Sequence, residues 1–142
     1  MRTQQWLFVV TTVLIILFAY TGISKVIDFK TYSDQMYNQP LPRWITSILI
    51  WAVPVAEFVV TILLLFGVSR YIGLVLSFLL LFTFTLYVAL ILSDTFSYVP
   101  CSCAGIFSSM GWTTHLFVNL VLTALAGIGL ISEARLQRIG RH

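Results

Sequence analysis

Two cysteines stand one residue apart in Pro100-Cys101-Ser102-Cys103-Ala104-Gly105, and the chain holds no other thiol. Such a pair can close a small, strained disulfide ring. Strained, exposed disulfides tend to be the labile and catalytic ones, whereas structural disulfides resist reduction. Pro100 restricts the backbone just before the pair, and Gly105 frees it to turn just after. A ring this small constrains the unfolded chain little, so stabilisation explains it poorly. The plain alternatives are a static surface disulfide or two idle thiols. His115 offers a third metal ligand but no fourth is apparent, so no metal is expected.

Five other residues invite a chemical reading. Lys25 closes the segment Gly22-Ile23-Ser24-Lys25, with Asp28 one turn later. A snorkelling lysine with an acidic i,i+3 partner is the bland account. Beside the cysteine loop, the same ammonium favours a thiolate or a reduced, anionic quinone. Glu57 lies about 20 Å along its helix from both Trp44 and Arg70. An ionisable group at mid-membrane depth is costly and marks a functional site by default. Its structural alternative is a protonated carboxyl hydrogen-bonded across the bundle, to Thr83 or Thr123. Pro54 can open the helix nearby and free backbone carbonyls. Lys25 is placed more than about 10 Å from Glu57 in depth, which argues against a direct ion pair. His115 and Asn119 share a helix face at i,i+4 spacing. The histidine can shuttle protons, or it caps the bundle and binds interfacial water.

The elements that must hold these residues follow from composition. The 142-residue chain is 59% hydrophobic and 9% charged, with a mean hydropathy of +0.98. So small a fold exposes much of its surface and could not cover such a core with so few polar side chains. A water-soluble enzyme and a disordered tail are both excluded. Four apolar stretches, at about 6–26, 44–68, 71–92 and 114–131, match the ~20 residues that cross a bilayer. None alternates as a barrel strand does. The fold class is therefore all-α: a polytopic membrane protein with an antiparallel bundle of four transmembrane helices, forming one domain over 1–142. The first stretch reads as a retained helix, because Ala19-Tyr20-Thr21 makes a poor signal-peptide cleavage site.

The connections carry further information. Between the second and third stretches almost nothing remains, which forces a tight hairpin. Phe29, Tyr32, Met36 and Tyr37 are spaced for a short amphipathic helix at the interface, ended by Pro40-Leu41-Pro42. Arg2, Arg70, Arg135, Arg138 and Arg141 share one side, against Lys25, Lys30 and Arg43 on the other. The positive-inside bias places both termini in the cytoplasm and the cysteine loop outside. Trp6, Trp44, Tyr71, Tyr98 and Trp112 fall at helix ends as an aromatic belt. Arg135, Arg138 and Arg141 read as a contact with anionic lipid. Scattered single charges do not make a nucleic-acid surface.

Taken together, Gly22-x-x-Lys25, the connection closing at Pro42, Pro54-x-x-Glu57 with Gly67, and Cys101-x-Cys103-x-Gly105 before a last helix form a recognisable order. It resembles the MauE group of DoxX-like membrane proteins over nearly the whole chain. The resemblance implies a four-helix protein of the bacterial inner membrane, linked to maturation of exported, disulfide-containing proteins. It also implies a thioredoxin-like partner. The bundle is similar in outline to quinone-coupled thiol oxidoreductases of the DsbB and vitamin K epoxide reductase type, an analogy of fold alone. Those carry two cysteine pairs, so an internal relay between pairs is impossible here. Electrons would pass directly to a partner or to a bound quinone, and methylamine itself is not implied.

Three readings follow. In the first, Cys101 and Cys103 exchange electrons with a partner, Lys25 tunes the thiolate, and His115 moves protons. In that reading Glu57 holds the bundle or a proton. The second is a non-catalytic scaffold subunit of a larger envelope complex, working through lateral helix contacts. A third, a carrier built around Glu57, is disfavoured because no inverted repeat is visible.

Overall fold

Backbone polar groups have no water to bond with in a bilayer, so spanning segments satisfy them internally as helices. The computed structural model describes residues 2–93, 95 and 111–139. It forms α1 (Arg2–Ile27), α2 (Phe29–Tyr37), α3 (Arg43–Leu65), α4 (Arg70–Leu92) and α5 (Trp112–Ile139), with no strand among the described residues. α1, α3, α4 and α5 are each long and apolar enough to cross a membrane. The chain is a multi-pass membrane protein built as a four-helix bundle.

Around the bundle, α1 packs on α3 and α5, and α4 packs on α3 and α5. The buried residues of α3 are Thr46, Ile50, Pro54, Glu57, Val60 and Leu64, a stripe at three- and four-residue spacing. α1 contributes Leu7, Val10, Leu14 and Phe18 to the central cluster, with Leu64, Leu74, Leu81 and Ala126 opposite. Large apolar side chains such as Phe8, Ile16, Trp51, Phe82 and Ile128 point outward. That is expected where the solvent is itself apolar and helices associate through packing and polar contacts.

Of the boundaries that differ from those read in the sequence, two have a clear local cause. α3 stops at Leu65, short of Val68, because Ser69 turns the chain by bonding back to the carbonyls of Leu63 and Phe66. α5 runs on to Ile139, since Glu, Ala, Arg, Leu and Gln after Ile131 are all good helix formers. Pro54 does not break α3, which passes through it unbroken.

The connection between α1 and α3 forms the short helix expected there, and the bundle holds it closely. Asp28 caps α2 by accepting the Thr31 amide at 3.4 Å, and α2 buries Tyr32 and Met36. α2 does not rest apart from the bundle as a surface helix. Phe29 stacks on Trp51 with centroids 4.8 Å apart, the Tyr32 hydroxyl donates to the Leu49 carbonyl, and Tyr37 meets Ser47. The helix therefore climbs alongside the first turns of α3, and α1 ends well below the start of α3.

Close approach is set by small residues. A Cβ on Gly73 would lie 2.9 Å from Leu64 Cδ2, 3.0 Å from the Leu64 nitrogen and 3.1 Å from the Leu63 carbonyl carbon. The α3–α4 hairpin thus depends on glycine there. Gly127 faces only the ring edge of Phe78, at 3.4 Å. Gly73→Ala is expected to destabilise the bundle by about 1–3 kcal/mol through overpacking. Gly127→Ala is expected to be neutral or stabilising, because it removes a helix-interior glycine. Unfolding by SDS in mixed micelles, followed by circular dichroism, compares the two.

Candidate functional site

The site begins with a charge pair that depth arithmetic along the sequence argued against. Lys25 Nζ lies 2.8 Å from Glu57 Oε1 and 3.1 Å from Oε2, and donates to the Thr21 carbonyl at 3.3 Å. Three ammonium protons thus meet three oxygens. Only 8% of Lys25 and 2% of Glu57 is exposed. The expected depth difference disappears because α2 takes up the height between the two helices, lowering the end of α1 toward the middle of α3. Gly22 completes the approach: a Cβ there would stand 3.3 Å from the Phe58 ring and 3.5 Å from Glu57 Cβ. The ammonium also sits 5.9 Å from the centroid of Tyr32, within the range of cation–π attraction.

Other expected partners lie elsewhere. Asp28, proposed as the acidic neighbour of Lys25, is the cap of α2. Thr83 donates to the Leu79 carbonyl. Thr123 lies 3.1 Å from Thr85 and donates to the Asn119 carbonyl. Neither threonine serves Glu57.

Above the pair lies a cavity of about 320 Å³, walled mostly by apolar groups from α1, α3, α4 and α5 and by Tyr32 and Met36 of α2. Lys25, Glu57, His115 and Asn119 all line it. The shared face read for His115 and Asn119 therefore points inward. Trp112 also lines the cavity, with its ring 6.0 Å from that of His115. Its position belongs to the site, whereas Trp6 and Trp44 remain exposed at helix ends as a belt requires. Asn119 is 5% exposed, and its side-chain nitrogen meets no hydrogen-bond partner among the described residues.

Sequence reasoning missed one polar contact. The Tyr87 hydroxyl donates to Gln39 Oε1 at 2.7 Å, and both residues line the cavity. Tyr87 is the available signal, a phenol in the last turns of a largely apolar helix. Cys101, Cys103 and Tyr98 lie outside the described residues. Among the described residues, no three His, Cys, Asp or Glu side chains gather into a metal site.

The family model of the methylamine utilisation protein MauE matches residues 3–132 of this chain. The chain belongs to the MauE family. No curated protein and no solved structure matches it. In this MauE-family chain, the matched span contains every residue of the charge pair and the cavity wall, together with the cysteine pair.

A buried charge stripped of its partner is far costlier than the pair itself. Lys25→Met alone or Glu57→Gln alone is therefore expected to cost about 3–5 kcal/mol. Lys25→Met combined with Glu57→Leu should recover most of that loss. A double-mutant cycle of SDS unfolding free energies reads the coupling directly.

Proposed function

We propose that this MauE-family protein is a membrane thiol–disulfide redox protein that supports the maturation of exported proteins. The observation that carries the reading is the position of Trp112. This first residue of α5 follows the Cys101-Ser102-Cys103 loop and lines the same cavity as Lys25, Glu57 and His115. The segment bearing both thiols joins α4 to α5, and α5 begins where Trp112 and His115 line the cavity.

In this reading a thiolate of the pair attacks a disulfide of a thioredoxin-like exported partner. One partner sulfur leaves as thiolate, and the mixed disulfide is resolved by the second cysteine. The pair here ends as a disulfide and the partner as a dithiol, two electrons and two protons having passed between them. The same steps run backwards when the partner is the reductant. His115, which lines the cavity, would relay the protons. Lys25 acts through its ion pair, as the floor of the site.

The protein would sit in the bacterial inner membrane with both termini cytoplasmic and the cysteine loop outward. The count of basic residues supports this orientation: Arg2, Arg70, Arg135, Arg138 and Arg141 fall on the side of the termini, and Lys25, Lys30 and Arg43 on the other, the bias that sets topology.

Alkylation mass spectrometry in defined glutathione buffers tests the proposal. Cys101 and Cys103 are expected to interconvert between dithiol and disulfide, and Cys101→Ser or Cys103→Ser should abolish exchange with an exported thioredoxin-like protein. Thiols that never form the disulfide in the native chain, together with a double serine variant that still co-purifies with its partners, would favour a scaffold instead.

A further inference from the structure

The cavity above the Lys25–Glu57 pair has the size and lining of a small-molecule site. Its volume of about 320 Å³ is at the small end of the range for ligand pockets, which are largely apolar with a few placed polar groups. We infer that it binds the ring of an uncharged, membrane-soluble carbonyl compound of the quinone class, whose oxygen accepts a hydrogen bond from the Asn119 amide.

Three observations select that chemistry. The first is Asn119, whose buried amide nitrogen meets no partner among the described residues and lies in the cavity wall. A buried donor left unsatisfied is costly, and a ligand oxygen would relieve it. The second is charge. Lys25 is bound to both oxygens of Glu57 and to the Thr21 carbonyl. The floor is therefore neutral overall: a carboxylate ligand would meet Glu57, and a cation would compete with Lys25. The third is shape. Phe18, Tyr32, Phe84, Tyr87 and Trp112 contribute aromatic surface, which suits a flat ring in offset or edge-on contact.

This inference rests on the redox reading only in giving the ligand a use. A bound quinone could accept two electrons and two protons from the reduced Cys101–Cys103 pair, becoming quinol as the pair becomes disulfide. Binding itself requires no thiol.

The test uses the purified full chain in detergent, with decylubiquinone as probe. Trp6, Trp44 and Trp51 are replaced by Phe, so that Trp112 alone reports by fluorescence quenching, and calorimetry measures the unmodified chain in parallel. Saturable binding is expected, weakened about 2- to 10-fold by Asn119→Leu, the contribution of one hydrogen bond. Val53→Phe, which fills the cavity from α3, should weaken it further. Decylbenzene, with the same tail but no carbonyl, should lose a similar factor and be indifferent to Asn119→Leu. The Cys101→Ser/Cys103→Ser protein should bind decylubiquinone as the native chain does. Binding that is unsaturable, or unchanged by both cavity variants in chains that keep their native helix content, overturns the inference whatever the thiols do. Inert thiols with intact, Asn119-dependent binding would instead leave the ligand site standing and remove the redox reading.

Discussion

An ammonium and a carboxylate brought together at membrane depth constrain the rest of this molecule. Neither Lys25 nor Glu57 could be held charged there alone, because desolvation costs several kcal/mol per ion. Their meeting requires α1 to end beside the middle of α3, which in turn requires α2 to climb the outer turns of α3. It also requires Gly22 at the point of contact, where a side chain would press on Phe58 and Glu57. The pair thereby fixes the axial register of two helices whose apolar surfaces would tolerate several. A buried ion pair adds little net stability over well-packed apolar residues. Its strength lies in specifying one arrangement.

The interior that results is more polar than the exterior. Thr11, Thr46, Ser77, Thr85, Asn119, Thr123 and Glu133 are buried along with Lys25 and Glu57, while Phe8, Ile16, Trp51, Phe82 and Ile128 face out. Most of these hydroxyls donate to the carbonyl four residues earlier, as Thr11, Ser77 and Thr123 do. They reach the bundle axis without stranding a donor in hydrocarbon. Thr85 and Thr123 then meet across α4 and α5. At the far end of the bundle Glu133 faces Arg70 at 3.9 Å and accepts from Gln137. In lipid such contacts and small residues take over the role that hydrophobic burial plays in water.

This inversion explains what the sequence could disclose. Length and hydropathy were enough to place four spanning helices, because crossing 30 Å of hydrocarbon leaves few other solutions. The amphipathic spacing of Phe29, Tyr32, Met36 and Tyr37 likewise identified α2. Apolar periodicity could not say which helix faces turn inward, since every face is apolar. The polar residues could: His115 and Asn119 were read on one face, and that face lines the cavity. The Lys25–Glu57 contact was hidden because distances counted along α3 assume that both helices begin at one surface. That assumption fails once α2 packs upright against Leu49 and Trp51. Gln39 and Tyr87 were hidden for a related reason, being a loop residue and a helix residue joined only by the tertiary fold.

Asn119 bears on whether this bundle is a scaffold or a site. It occupies a position that Leu, with the same side-chain branching, would fill with no unsatisfied donor. A chain whose role were only to bind neighbours through its lipid-facing surface would have no use for a buried amide turned toward an internal cavity. The α4–α5 contact through Thr85 and Thr123 lies one turn from Asn119, and those two helices also hold the ends of the loop that carries Cys101 and Cys103. The amide, the floor and the anchors of the thiol loop are therefore parts of one rigid wall. That coupling is what the proposed thiol–disulfide exchange would use.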